Sequence, residues 1–331
     1  MPPRRRPTST SNFGAGRRES HDATAFYERF TPPTISADDV VNPCRAAGRI
    51  IAGDSRDMAD VDASSVALVV TSPPYFAGKE YEEALGEGHV PASYLEYLAM
   101  LRDVFAECVR VLEPGGRLAV NVANLGRRPY RSLAGDVTMI LQDELGLLLR
   151  GEVVWVKADG ASGSTAWGSF QSAANPVLRD LTERIVIASK GRFDRAPTRA
   201  KREARGLPFE NTIDKQEFMD GTLDVWRVQP ESARRVGHPA PFPVEIPRRC
   251  IELFTFRDDV VLDPFMGSGS TAVAAVRADR RYVGYDTDPA YVALAEKRVA
   301  EAQELVDAGA AGDPGTGPGG GPEGRSDPTS P

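Results

Sequence analysis

Apolar positions along this chain repeat in two periods, and the two alternate. Short β-branched and aliphatic runs predict strands at Arg49 to Asp54, Leu68 to Thr71, Arg117 to Val122, Gly151 to Val156, Glu183 to Ser189, Val260 to Asp263 and Arg281 to Asp286. Between them lie stretches of helical spacing. Tyr94, Leu95, Leu98, Leu101, Val104, Phe105, Val109 and Leu112 mark one helix, opened by Pro91 and closed by Glu113-Pro-Gly-Gly116. Others are expected over Ser132 to Leu145, Val244 to Phe254, from near Ser270, and over Pro289 to Leu305. Strands alternating with helices predict a doubly wound, mostly parallel α/β sheet.

The pattern lapses in four places. Residues 1–40 are rich in Pro, Ser, Thr and Arg and are expected to form a disordered basic arm. Residues 158–176 are small and polar. Residues 190–236 have weak periodicity and read as an inserted region. From 307 to 331 Gly, Pro, Ser and Asp dominate, and a disordered tail is expected. The insertion then divides the ordered chain into 41–189 and 237–306.

Composition narrows this only in part. A chain of 331 residues can bury a large core. No apolar run nears the ~18 residues of a membrane span. The N-terminal arginines precede no apolar segment, so no secretory signal is read there. A cytoplasmic protein without a membrane partner is expected. Cys44, Cys108 and Cys250 have neither metal nor disulfide spacing, and no metal is expected. The net charge of −7 argues against nucleic acid on average. Yet Lys190, Arg192, Arg195, Arg199, Lys201, Arg202 and Arg205 stand against only Asp194 and Glu203. Binding depends on local patches, so these seven, with Lys79 in the loop after Tyr75, are candidate DNA contacts.

Two strands end in unusual punctuation. Leu68 to Thr71 runs straight into Ser72-Pro73-Pro74-Tyr75. Neither proline has an N–H for a ladder, so the strand stops and the following backbone is stiff. A rigid turn at a strand's carboxyl end is where open α/β sheets hold ligands. This one offers a hydroxyl, carbonyls and an aromatic face, which suit a flat base bearing an exocyclic amine. Val260 to Asp263 runs into Pro264-Phe265-Met266-Gly267-Ser268-Gly269 and a helix. Gly267 and Gly269 permit a tight turn and close approach of a ligand, and a helix N-terminus favours a negative group. The third glycine of a dinucleotide fingerprint and the Gly-Lys of a P-loop are both missing. The next strand ends at Asp286, about twenty residues on, where an acid can accept from ribose hydroxyls. Asp54 ends the first strand in the same way, though a helix-capping Asp looks alike.

Thr71-Ser-Pro-Pro-Tyr75 resembles the catalytic motif of the amino-methylating DNA methyltransferases, in the form typical of cytosine-N4 enzymes. The adenine-N6 enzymes usually carry Asp or Asn where Ser72 stands. Over roughly residues 44–305, Gly53-Asp54, Thr71 to Tyr75, His238 to Pro243, Asp263 to Gly269 and Tyr285-Asp286 follow the order of the circularly permuted β group. Joining the chain ends on paper restores the usual methyltransferase order. The resemblance implies a Rossmann-like S-adenosylmethionine-dependent fold in which Glu183 to Ser189 is the one antiparallel strand. It implies that Thr71, Asp263, Pro264, Phe265, Gly267, Ser268, Gly269, Phe242 and Pro243 border S-adenosyl-L-methionine. Asp286 would hold its ribose and Asp54 its adenine. Ser72, Pro73, Pro74 and Tyr75 would act on a cytosine flipped out of double-stranded DNA. Residues 190–236, beside the site, would recognise the target. Pro43-Cys44 matches the nucleophile pair of cytosine-C5 enzymes, but it lies in a polar lead-in and is not expected to act. Adenine-N6 methylation, a DNA-binding module without catalysis, and a dinucleotide oxidoreductase stay open. So do a cognate restriction endonuclease and the choice of monomer or homodimer.

Overall fold

A computed structural model describes residues 34–74, 76, 93–125, 129–158, 172–178, 180–231 and 242–311. Tyr75, Lys79, His238, the tail from 312 and the expected arm up to 33 lie outside them. Among the described residues one sheet holds β1 (Arg49–Ala52), β2 (Val66–Thr71), β3 (Leu112–Val122), β4 (Leu148–Val156), β5 (Thr182–Ser189), β6 (Val225–Arg227), β7 (Val260–Asp263) and β8 (Arg281–Asp286). Their order across it is β1-β8-β7-β2-β3-β5-β4-β6. β5 runs antiparallel to β3 and β4, and every other pairing is parallel. The strands made last, β7 and β8, thus lie between the two made first.

Among the described residues the α-helices are α1 (Tyr94–Val111), α2 (Leu133–Met139), α3 (Arg199–Ala204), α4 (Lys215–Gly221), α5 (Glu245–Phe254), α6 (Ser270–Arg277) and α7 (Pro289–Ala311). Ser93 caps α1 by accepting the Glu96 N–H. Several expected boundaries moved. β4 begins at Leu148, before the expected Gly151, and α7 runs on to Ala311, through the first residues of the expected disordered tail. Glu113 to Gly116 does not end the helix but forms the first half of β3, with Gly115 at φ 78°. The second expected helix holds its α form only to Met139, and a π turn over Ile140–Glu144 completes it.

Every residue of β2 is buried. Leu68 and Val70 face a cluster with Cys250, Ile251, Ala274 and Ala275, from α5 and α6. Val69 faces the opposite cluster with Leu101, Val104 and Phe105 of α1. That two-sided burial is why β2 reads as an unbroken apolar run. Each such side chain contributes about 1.5–3 kcal/mol. The helix after β7 covers one face and the helix after β2 the other. The crevice between their carboxyl ends is therefore a topological switch point.

The direction of β5 corrects one expectation. Arg184 pairs with Val122 at the sheet's carboxyl edge and Ser189 with Arg117 near its amino edge. At about 3.3 Å per residue the strand spans roughly 25 Å. The basic segment thus emerges at the end of the sheet away from Ser72, not beside it. Its charges are also engaged there. Arg195 and Arg202 are buried between Glu113 and Asp259. Both guanidinium groups lie over the Phe256 ring. Lys190 donates to the carbonyls of Arg110 and Leu112, and Arg192 to those of Ala37 and Asp38. Lys201 and Arg205 pair with Asp39, and Arg199 lies over Phe209. As phosphate contacts Arg195 and Arg202 are withdrawn, because desolvated, paired cations cannot also reach a duplex. The rest emerge at the edge opposite the Ser72 turn. The same region also supplies α3, α4 and the edge strand β6.

Candidate active site

Four strand ends converge at the carboxyl edge. Ala52 pairs with Asp286, Asp263 with Gly284, and Val69 with Leu262. This register sets Gly53-Asp54, Asp286, the glycine-rich turn and the turn at Ser72 side by side. The link between the last two is direct. Thr71 Oγ1 donates to Asp263 Oδ1 at 2.7 Å, across 192 positions of sequence. Thr271 Oγ1 donates to Oδ2 at 2.7 Å, and the Phe265 N–H to Oδ1 at 3.1 Å. Asp263 is only 3% exposed. Its side chain is turned into the fold, where it clamps the two turns together.

Burial pushes the Asp263 carboxyl up to about 6, against the pull of its three hydrogen bonds. The folded protein therefore holds this proton more tightly than the unfolded chain, whose ordinary value is 3.8. Protonation favours the folded state, so this group's contribution rises as pH falls through about 6 and is a constant cost above it. In Asp263→Asn that slope should vanish. Denaturant titrations of both proteins from about pH 7 to about pH 4 measure it. A stability difference that stays constant with pH would contradict the assignment.

The glycine-rich turn is bare backbone for a steric reason. Gly267 and Gly269 have φ of 50° and 84°. A Cβ on Gly269 would lie 2.9 Å from the Ala295 Cβ of α7. Beneath the turn, Arg298 donates to the Ser268 carbonyl at 2.6 Å and to its Oγ at 2.9 Å. Asp286 Oδ2 accepts the Gly267 N–H at 2.8 Å, and Oδ1 accepts the Asp288 N–H at 2.9 Å. Burial raises its carboxyl above the usual range. Each oxygen retains a lone pair for a hydroxyl. Asp54, half-exposed, accepts from the Arg56 side chain. Pro264 is buried at the start of the turn and Phe265 packs against the first core cluster. Phe242 packs into the second cluster, and Pro243 accepts the Ile246 N–H as α5 begins.

Across the crevice the Ser72 turn is pinned on both sides. Thr71 is held by Asp263, and Phe76 stacks on Tyr97 at 5.6 Å and tilts against Tyr94 at 5.8 Å. Pro73 is buried while Ser72 and Pro74 are partly open. Behind Ser72, Asn121 Nδ2 lies 3.4 Å from its Oγ and 2.6 Å from Glu183 Oε2. Lys157 Nζ meets Glu183 Oε1 at 2.9 Å. The sequence pattern did not single out Asn121, Glu183, Lys157, Thr271 or Arg298 for a role here. The one available signal was a polar Asn121 inside an otherwise apolar strand.

This geometry fits a nucleoside-bearing group. Side-chain-free backbone lets a charged chain approach, an acid stands one strand over for vicinal hydroxyls, and a stiff hydroxyl-bearing turn ends the neighbouring strand. Transfer of a group from such a ligand to a polar nitrogen is the chemistry these parts allow.

Comparison with known proteins agrees. Residues 66–297 match the model of a family described as DNA methylase, of the N6/N4 type. Type II methyltransferase M.MjaI of Methanocaldococcus jannaschii is 28% identical over 290 residues, 78% of this chain and 93% of that one. Type II methyltransferase M.Cfr9I of Citrobacter freundii is 28% identical over 267 residues, covering 71% and 81%. TTHA0409 of Thermus thermophilus, a candidate DNA modification methylase solved with S-adenosyl-L-methionine, aligns with a TM-score of 0.58. It is 30% identical over 77% of this chain and 93% of its own. The cytosine-N4-specific PvuII DNA methyltransferase aligns with a TM-score of 0.57 over 81% and 96%, at 19% identity, a likeness of fold alone.

Proposed function

This chain belongs to the DNA methylase family, and from that premise we propose that it methylates the exocyclic N4 of cytosine in duplex DNA. The observation that carries the base assignment is Ser72, a neutral hydroxyl where an adenine enzyme usually offers Asp or Asn. Ser72, partly open, follows β2 at the switch-point crevice beside β7. When bound, S-adenosyl-L-methionine supplies a sulfonium methyl group as the electrophile. The turn at Gly267 and Gly269 gives its methionine end a backbone cradle, and Asp286 accepts from its ribose. Ser72 Oγ and the Pro73 carbonyl accept from the target amine, drawing its N–H bonds out of the ring plane and freeing the lone pair. Holding the amine beside the bound cofactor would supply much of the rate, and the methylated nitrogen would then lose one proton to water. The amine is paired inside a duplex, so the base is flipped to reach the turn. Target recognition falls to chain at the carboxyl edge. β4 ends and β5 begins there, so Lys157 and Leu181 mark where the connecting chain leaves and rejoins that edge.

Modification-sensitive sequencing of DNA from a methylation-free host expressing this chain tests the reading. N4-methylcytosine in a fixed sequence context supports it. N6-methyladenine would keep the fold and cofactor but overturn the inference from Ser72, and unmodified DNA beside soluble protein would overturn the activity. Asp286→Ala should raise the cofactor dissociation constant roughly 10- to 100-fold, through lost hydrogen bonds to ribose. Calorimetric titration measures it, and an unchanged constant removes Asp286 from that role.

A further inference from the structure

The side chains behind Ser72 form a line that the proposed reaction does not yet use. Asn121 is 1% exposed and Glu183 7%. They come from neighbouring antiparallel strands, and Lys157 follows β4 on the far side. A carboxylate can only accept, so the 2.6 Å contact with Glu183 must come from the Asn121 amide nitrogen. That fixes which way the amide lies. The same nitrogen stands 3.4 Å from Ser72 Oγ and directs its other N–H there. Lys157, at 2.9 Å, compensates the charge of the buried carboxylate.

We infer that Asn121, oriented by the Glu183–Lys157 pair, is a positioning residue that fixes the Ser72 hydroxyl as an acceptor toward the target amine. A serine hydroxyl is a rotor with two lone pairs and one proton. Accepting from Asn121 commits one lone pair and biases the hydroxyl to present its oxygen, not its proton, to the amine N–H. Without that donor, the hydroxyl can swing its proton onto the amine nitrogen. That would occupy the lone pair that must attack the methyl group. The line therefore sets the polarity of the contact. This rests on the methyl-transfer reading above.

The test is a set of substitutions read in single-turnover methylation, with cofactor and DNA titrations alongside. Glu183→Gln keeps the shape but no longer dictates the amide's direction. It should slow transfer about tenfold, the loss of roughly one hydrogen bond, while both dissociation constants stay within about twofold. Asn121→Ala should do the same. In a Ser72→Ala background neither change should slow the residual rate further, because both act through Ser72. A merely structural strut would slow both backgrounds alike, and that result would overturn the inference. So would an unchanged rate in Glu183→Gln. A readout independent of turnover separates this from failure of the reaction itself. The side-chain amide resonances of Asn121 should shift and lose exchange protection in Glu183→Gln. If they do not, the carboxylate does not orient the amide, whatever the wild type does to DNA.

Discussion

Ser72→Ala should slow methyl transfer by about a hundredfold or more and leave the cofactor dissociation constant where it was. Removing one preorganised polar group at a reacting centre typically costs two to three powers of ten. The turn that carries Ser72 is held on both sides, with Thr71 tied to Asp263 and Phe76 seated on Tyr97. On the proposed reading the cofactor cradle is a different turn, so cofactor affinity should not change. Single-turnover kinetics and calorimetry measure the two quantities separately. Equal losses in both would mean that Ser72 supports the pocket and does not act on the amine.

Arg202→Ala should destabilise the fold by about 3–5 kcal/mol, the usual cost of stripping one partner from a buried ion pair. The guanidinium is 1% exposed and donates to Glu113, to Asp259, to the Ala196 carbonyl at 2.9 Å and to the Pro208 carbonyl at 2.6 Å. Without it, Arg195 alone faces two buried carboxylates. Affinity for DNA, measured on protein still folded at low temperature, should be unchanged. Intact stability with weakened DNA binding would return the segment to the role that its charge suggested.

That segment shows where sequence reading stops. The strands were legible because burial on both faces leaves long apolar runs. The site was legible because its motifs stand where those runs end. Asp54, Ser72, Asp263 and Asp286 did meet at one edge. The direction of β5 was not legible from its own residues, and direction alone decides which edge receives Lys190 to Arg205. Glu113 and Asp259 neutralise Arg195 and Arg202 from 82 and 64 or 89 and 57 positions away. Local charge counting sees only the cations. Asn121 was hidden because a strand's pattern records its apolar majority, and a buried amide changes that pattern at one position only.

The sheet's winding also orders events in time. Among the described strands β1 has β8 as its only neighbour, and the outer side of β2 is covered by β7. Both partners are translated last. At ordinary ribosomal speeds some 230 residues, about ten to fifty seconds of synthesis, separate the end of β1 from the end of β8. Until β7 is made, about 190 residues after β2, that strand carries an open edge on a largely apolar run, the kind that invites aggregation. The crevice itself cannot exist until Thr71 meets Asp263. A nascent chain is thus exposed early and competent late, and its yield should depend on chaperones that shield β2 while the second half is made.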